Sequence, residues 1–439
     1  MRASFFIVLM VAVINLAFAA PDIQTWKTSN GAKVLFVKAH ELPMVDIRVV
    51  FDAGAARDIS NSAVALMTNG MMPEGAGEFN ANELASRFEG VGAGFGNSSH
   101  RDMSVFSLRS LTDKEWLDLA IDTFAIILSK PTFPQEAFDR EIKRLLVGLE
   151  QKKQSPDAIS SENMYKAVFA GHPYASLPEG TAESVKKLSV KDLKAFYKKY
   201  MVGKNAVVSI VGDVTTEQAK SISEKVVGGL PAGAKAADLP AVKALSKAEM
   251  IKIDFPSSQT KILIAQPGMR RGDPDYFPLF VGNHVLGGSG LVSILSDEIR
   301  EKRGLSYSSY SYFSPMRVAG PFILGLGTKN ESSKEALQVM KTTLKNFIEQ
   351  GVSEAQLKAA KQNLTGGFAL QLASNKKIVN NLSAIGFYEL PLNYLDQYIS
   401  NVEAVTVEQV RDAFKRRIHP DKMATVIVGG EQAQEVSSN

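Results

Sequence analysis

Val190-Lys-Asp-Leu-Lys-Ala-Phe-Tyr197 runs into Ala206-Val-Val-Ser-Ile-Val-Gly212, and near 217 residues later Val407-Glu-Gln-Val-Arg-Asp-Ala-Phe414 runs into Ala424-Thr-Val-Ile-Val-Gly429. Each run pairs an amphipathic helix, with apolar residues three and four apart, with a short buried strand that ends in glycine. The correspondence extends upstream. Phe133-Pro-Gln-Glu-Ala-Phe138 opens a long helix, and so does Val352-Ser-Glu-Ala-Gln-Leu357. Two copies of one unit of ~200 residues account for this spacing. A chain of 439 residues is also too long for one ordinary core.

Between the copies lies Gly228-Gly-Leu-Pro-Ala-Gly-Ala-Lys-Ala-Ala-Asp-Leu-Pro240, rich in Gly, Ala and Pro and without amphipathic period. It is the expected linker. The domain reading is a signal segment over 1–19, a first unit over 20–227, a linker over 228–245 and a second unit over 246–439. Within each unit strands come in runs and helices come in runs. Val45 to Phe51 and Met103 to Leu111 read as strands, and Asp113 to Leu128, Gln135 to Gln151 and Asp157 to Phe169 as helices. In the second unit Ile262 to Gln266, Leu305 to Phe313 and Pro321 to Leu326 read as strands. Its helices are expected over Lys334 to Phe347 and Glu354 to Leu372. Segregated strands and helices predict an α+β fold, each unit an antiparallel-rich sheet packed with a layer of helices.

Composition narrows the function classes. A net charge of +4 is too small on this length, and its basic residues too interleaved with acidic ones, to point to nucleic acid. Arg2, the apolar stretch Ser4 to Ala17 and the small residues of Ala17-Phe18-Ala19 fit a secretory signal cleaved after Ala19. The stretch is short for a membrane span of ~20 residues, and Asn15 interrupts it. The expected address is the periplasm, with no stable membrane span after cleavage. Cysteine is absent, so an exported fold must be held by its cores alone and has no thiol chemistry.

In the second unit, Ile299-Arg-Glu-Lys-Arg-Gly-Leu-Ser-Tyr307 places Arg300 in a predicted helix over Leu291 to Lys302 and Tyr307 at the start of the next strand. Leu291, Ile294, Leu295 and Ile299 form the predicted apolar face. Gly304 stops the helix, so one short turn brings the two side chains close. Gly287-Gly-Ser-Gly290 precedes the helix; with no P-loop Lys-Ser/Thr after it, it reads as a tight helix entry and not as a phosphate cradle. Tyr310 and Tyr312 read as packing residues.

The run from Arg300 to Tyr307 resembles the substrate-gripping element of pitrilysin/insulinase-type zinc peptidases, and the resemblance covers nearly the whole mature chain. It implies two homologous domains forming half of a clam-shell. It also implies that a tyrosine hydroxyl donates to the carbonyl oxygen as it becomes an oxyanion while an arginine holds the peptide backbone or the developing charge. The same resemblance places the family's His-x-x-Glu-His on the run Ala65-Leu-Met-Thr-Asn-Gly-Met-Met-Pro-Glu-Gly75. Anchored on Met71 and Gly75, Leu66 and Gly70 stand at the two histidine positions and Asn69 at the general base; the third ligand falls near Val147 or Gly148. Leucine and glycine offer no lone pair and asparagine is no base, so a site needing about three ligands and a base is not expected here. The five histidines, His40, His100, His172, His284 and His419, lie at least 60 residues apart. They read as surface or capping residues.

Some family members split the zinc site and the Arg–Tyr pair between two chains. The resemblance therefore implies a non-metal subunit of a heterodimeric peptidase. Arg300 and Tyr307 would serve a partner that bears His-x-x-Glu-His, with zinc in the partner, none in this chain, and peptides as substrates. The alternatives are a catalytically inactive scaffold or peptide-binding protein of the same fold and, more weakly, an independent enzyme of another type, for which no Ser/His/Asp spacing, thiol or nucleotide motif speaks.

Overall fold

A computed structural model describes residues 21–58 and 62–430. The signal reading over 1–19 lies outside the described residues. The first sheet has six strands in the order β1-β2-β8-β3-β7-β6 and the second has five in the order β11-β12-β10-β13-β9. The strands of the first are β1 (Gln24–Lys27), β2 (Lys33–Lys38), β3 (Met44–Phe51), β6 (Gly94–Ser99), β7 (Ser104–Leu111) and β8 (Ala206–Gly212). Those of the second are β9 (Glu249–Ile253), β10 (Gln259–Pro267), β11 (Ser308–Phe313), β12 (Pro321–Lys329) and β13 (Ala424–Val428). A small hairpin, β4 (Gly75–Ala76) with β5 (Phe79–Asn80), stands apart.

The two sheets share one connectivity. In the first, β2 pairs parallel with β8 and all other neighbours are antiparallel. In the second, β9 pairs parallel with β13 and the rest are antiparallel. Setting β9, β13, β10, β12 and β11 against β2, β8, β3, β7 and β6 matches every pairing of the second sheet, with β1 an addition at the edge of the first, so the internal repeat is a repeat of topology. One face of each sheet packs on its own unit's helices, as α3 (Lys114–Ser129) does through Ile121, Phe124 and Leu128.

The opposite faces are covered by exchanged helices. From the first unit, α5 (Pro156–Val168) crosses to the second sheet, where Met164, Ala167 and Val168 meet Leu263, Ala265, Val426 and Val428. From the second unit, the helix Asn375–Phe387 crosses to the first sheet, where Val379, Leu382 and Ile385 meet Leu35, Val37, Val207 and Val211. Each such side chain, once buried, contributes roughly 1.5–3 kcal/mol. The exchange explains the character of β8. A strand covered on both faces needs an unbroken buried run in place of alternation, and every residue from Ala206 to Gly212 is buried.

Polar groups then lock the units together. Asp102, in the β6–β7 turn, accepts from Tyr174 Oη at 2.5 Å, Tyr388 Oη at 3.1 Å and the Arg317 amide at 2.8 Å. Arg57 binds Asp52 through two 2.7 Å bonds, and Arg317 Nε lies 3.2 Å from the same carboxylate. The segment 228–245 has few regular hydrogen bonds of its own but is pinned along its length. Ala236 N donates to Asn205 Oδ1, Arg57 Nη1 to Ala237 O and His172 Nε2 to Pro240 O. His172 Nδ1 accepts from the Tyr174 amide, which fixes the proton on Nε2, and burial lowers its pKa. This histidine is a structural cap, as the sequence suggested. No helix among the described residues is long and apolar enough to cross a membrane.

Candidate functional site

In the first unit, α1 (Val64–Met71) carries Leu66, Asn69 and Gly70, and α4 (Gln135–Lys152) carries Val147 and Gly148. These two helices line one cleft of about 710 Å³, walled by Leu66, Met67, Gly70, Met71, Val147 and Gly148. The positions that the resemblance assigned to metal ligands therefore do come together. What they form is an apolar hollow with a rim of Glu141, Lys143 and Arg144. Glu141 is engaged by Arg140 and Arg144. Glu150 pairs with Lys153 and is not among the lining residues.

Asn69 is fixed elsewhere. Its amide Nδ2 donates to Ser104 Oγ at 2.7 Å, Ser98 O at 3.2 Å and Val105 O at 3.3 Å, and its Oδ1 accepts from Asn97 at 2.9 Å. It ties α1 to β6 and β7. The start of α1 hangs on Asp58, whose two carboxylate oxygens accept from the amides of Ala63 and Ala65 at 2.9 Å. Ala63 holds a φ of +76°, a costly conformation for a residue with a Cβ. Burial pushes the Asp58 carboxyl up to about 7, against the opposing pull of those two amides.

The Arg–Tyr run of the second unit departs from a plain helix. Gly290–Val292 is a 3-10 turn, Ile294–Ser296 a single α-turn and Asp297–Glu301 a π-helical turn. Leu295 and Ile299 are buried as predicted, but Leu291 is exposed. The reason is a tertiary contact: Gly287 presses on β11, where a Cβ would stand 2.4 Å from Ser311 N. Gly290, at a φ of +65°, then turns the chain outward. The strand also starts late, at Ser308 instead of Leu305.

Arg300 sits on the π-turn, partly exposed, 3.5 Å from Glu301. Tyr307 is 89% exposed. Its backbone is nonetheless held. Ser306 Oγ donates to Ser308 O and accepts from Ser308 N while lying 2.7 Å from Gly327 O, and Thr328 Oγ1 donates to Leu305 O at 2.6 Å. Gly304 N returns to Arg300 O and Leu305 N to Ile299 O. Among the described residues no hydrogen bond or ion pair joins Arg300 to Tyr307, and none occupies the phenol. Tyr310 and Tyr312 stack on one another at 5.9 Å; Tyr310 is half-buried and Tyr312 exposed, so the packing role expected of both is met only in part.

Comparison with known proteins agrees with this arrangement. The family model described as Insulinase (Peptidase family M16) matches residues 33–181, and the one described as Peptidase M16 inactive domain matches 187–364. The chain belongs to peptidase family M16. A crystal structure of a peptidase M16 inactive domain from Pseudomonas fluorescens superposes with a TM-score of 0.91 at 40% identity, covering 94% of this chain and all of that one. The Helicobacter pylori protein named non-peptidase homolog YmxG is 27% identical over 93% of this chain and 94% of its own. A Bacillus subtilis protein named uncharacterized zinc protease YmxG is 24% identical over 92% and 98%.

This M16 chain carries no group of three or more His, Cys, Asp or Glu residues able to hold a metal among the described residues. At the family's metal position the side chains present are those of leucine and valine beside two glycines, and they do not fit zinc. Sequence reasoning missed the exchange of helices and the Asp102 junction. It also passed over Arg48, although a charged residue every second position in Val45-Asp-Ile-Arg-Val-Val-Phe51 marks one strand face as unlike the other.

Proposed function

We propose that this chain is the non-metal subunit of a two-chain M16 endopeptidase, exported to the periplasm, that degrades peptides in a chamber formed with a zinc-bearing partner. The observation that carries the reading is the exposed Tyr307 on a hydrogen-bonded backbone. A phenol with a fixed Cα and no partner of its own is suited to donate into a site on another chain, and Arg300 lies one turn away. The neutral hydroxyl would stabilise the oxyanion and Arg300 the bound peptide. The reading is tested by mixing the purified chain with a His-x-x-Glu-His-bearing homologue from the same cell and following zinc-dependent peptide hydrolysis.

Tyr307→Phe should lower kcat of the mixture by roughly 10²–10³ while leaving complex formation and unfolding temperature unchanged. Full activity of the partner alone, unaltered by this chain, would end the proposal. A second reading is favoured by the apolar cleft and by the name of the H. pylori relative: a peptide-binding protein that does not cleave. Under it Tyr307→Phe has no effect on any turnover.

A further inference from the structure

Arg48 lies in the middle of β3 and no hydrogen bond or ion pair engages it among the described residues. Its Nε is buried without a partner. In register it stands between Ser107 on β7 and Ser209 on β8, and Ser107 faces Gly96 on β6. By strand alternation these residues share a face with Asp46 and Val50. The acid on that face is taken, because Asp46 holds Arg109 through two 3.0 Å bonds. The nearer hydroxyls do not help: Ser107 Oγ donates to Gly96 O at 3.1 Å, while Ser209 Oγ is itself buried with no partner. The other titratable neighbour is His100, whose charged form is disfavoured by burial and by Arg48.

Arg48 has a covered side and an open side. On one side the helix Asn375–Phe387 covers β2, β8 and part of β3 itself, and Phe387 packs on Val50 and Val105. Toward the sheet edge the floor is Gly94, Gly96, Ser98 and Ser107, all partly or fully exposed and none with a large side chain. An Nε–H withdrawn from water without an acceptor is unfavourable, even on a half-buried arginine. An unpartnered buried donor beside an unpartnered buried hydroxyl is an arrangement that an anionic acceptor would satisfy. A carboxylate fits the guanidinium fork better than any other anion common in peptides.

We infer that this sheet face is a carboxylate-binding site with Arg48 at its inner end, taking the C-terminal carboxylate or an acidic side chain of a peptide laid across β3, β7 and β6. The site needs no second subunit, so its failure and the failure of the two-chain proposal are separable. The test uses three fluorescent octapeptides of alanine, leucine and serine: a free acid, its C-terminal amide, and an amide with one internal glutamate. The purified chain should bind the free acid at least about 10-fold more tightly than the plain amide, a difference anisotropy titration resolves readily. If the glutamate amide also binds tightly, the site accepts any carboxylate; if it does not, it is specific for a chain end. In Arg48→Met all three should bind alike.

Equal affinity of acid and amide in the wild type, no binding of any peptide up to about 1 mM, or a preference that survives Arg48→Met would each overturn the inference. Thermal unfolding supplies a readout that does not depend on binding. With no partner to lose, Arg48→Met should leave the unfolding temperature within about 2 °C or raise it, whereas a fall beyond that would mark Arg48 as a structural residue and count against the site.

Discussion

The two units share one strand order and differ in what they do with the helix-and-turn region beside it. In the first, the positions on α1 and α4 converge on a cleft but present leucine, valine and glycine, and Asn69 is tied into the sheet by four hydrogen bonds. In the second, the backbone from Ile299 to Ser308 is tied, the Tyr307 side chain is left outside and Arg300 stays partly exposed beside Glu301. Packing has absorbed one region, while the other keeps a polar group in water on a fixed support. An ionisable or donor side chain that does nothing for its own fold is a better pointer to function than a converging cleft whose chemistry has gone.

The sharpest way to break this comparison is to restore the lost chemistry. Both Gly70 and Gly148 have no heavy atom within 4 Å of a built Cβ, so larger side chains enter open space. Leu66→His, Gly70→His and Gly148→Glu together should create one zinc site per chain. Its Kd should fall below about 1 μM, or about 8 kcal/mol of binding where the wild type has no ligand set. Chelator competition measures it. A folded triple variant that takes up no stoichiometric zinc would show that the three positions do not converge closely enough to act as one site.

A smaller effect tests whether α1 is anchored as described. The Asp58 carboxyl is raised in the fold, so the protonated form is favoured there. Its stabilising contribution is complete below about pH 4 and is lost as pH rises through about 7. A shift of about three units corresponds to at most about 4 kcal/mol. Other carboxylates follow the opposite sign, so the difference between Asp58→Asn and wild type is the informative quantity. Denaturant unfolding from pH 4 to pH 8 should show the variant gaining on the wild type as pH rises. A pH-independent difference would mean that Asp58 stays ionised and that its two amide bonds, not burial, control it.

Much of this was legible in the sequence, and the omissions have physical causes. The repeat, the strands β3, β7, β10 and β12 and the long helices are legible directly, the strands as short apolar runs and the helices by their amphipathic period. Periodicity says that a helix buries a face but not which sheet receives it, so the exchange of α5 and Asn375–Phe387 was invisible. The helix expected over Leu291 to Lys302 broke into shorter turns because Gly287 packs against β11, a tertiary demand that a local pattern does not carry, and Gly290 turns the chain at a positive φ. That Leu66, Gly70 and Val147 or Gly148 stand at the ligand positions without metal-binding side chains was legible in the sequence; that α1 and α4 leave an apolar cleft between them is seen only in the structure.

The smallest prediction asks whether the two units stand or fall together. Gly386 lies in the exchanged helix Asn375–Phe387, where a Cβ would stand 2.5 Å from Val207 Cγ1 and 2.7 Å from Leu35 Cδ1. Both are side-chain atoms, so the clash can be relieved by repacking, and Gly386→Val should cost about 1–3 kcal/mol through overpacking. Intrinsic helix propensity works the other way, favouring the substituted residue by a few tenths of a kcal/mol, so the observed loss is the net of the two. The shape of the unfolding curve carries more information than its midpoint. The helix belongs to the second unit and its seat to the first, with Phe387 accepting from Arg317 and Tyr388 donating to Asp102 immediately after it. Loosening that seat therefore weakens both units at once, and a single cooperative transition should persist at lower temperature. Two separated transitions in the variant would show that each unit folds on its own core and that the exchange joins domains without coupling them.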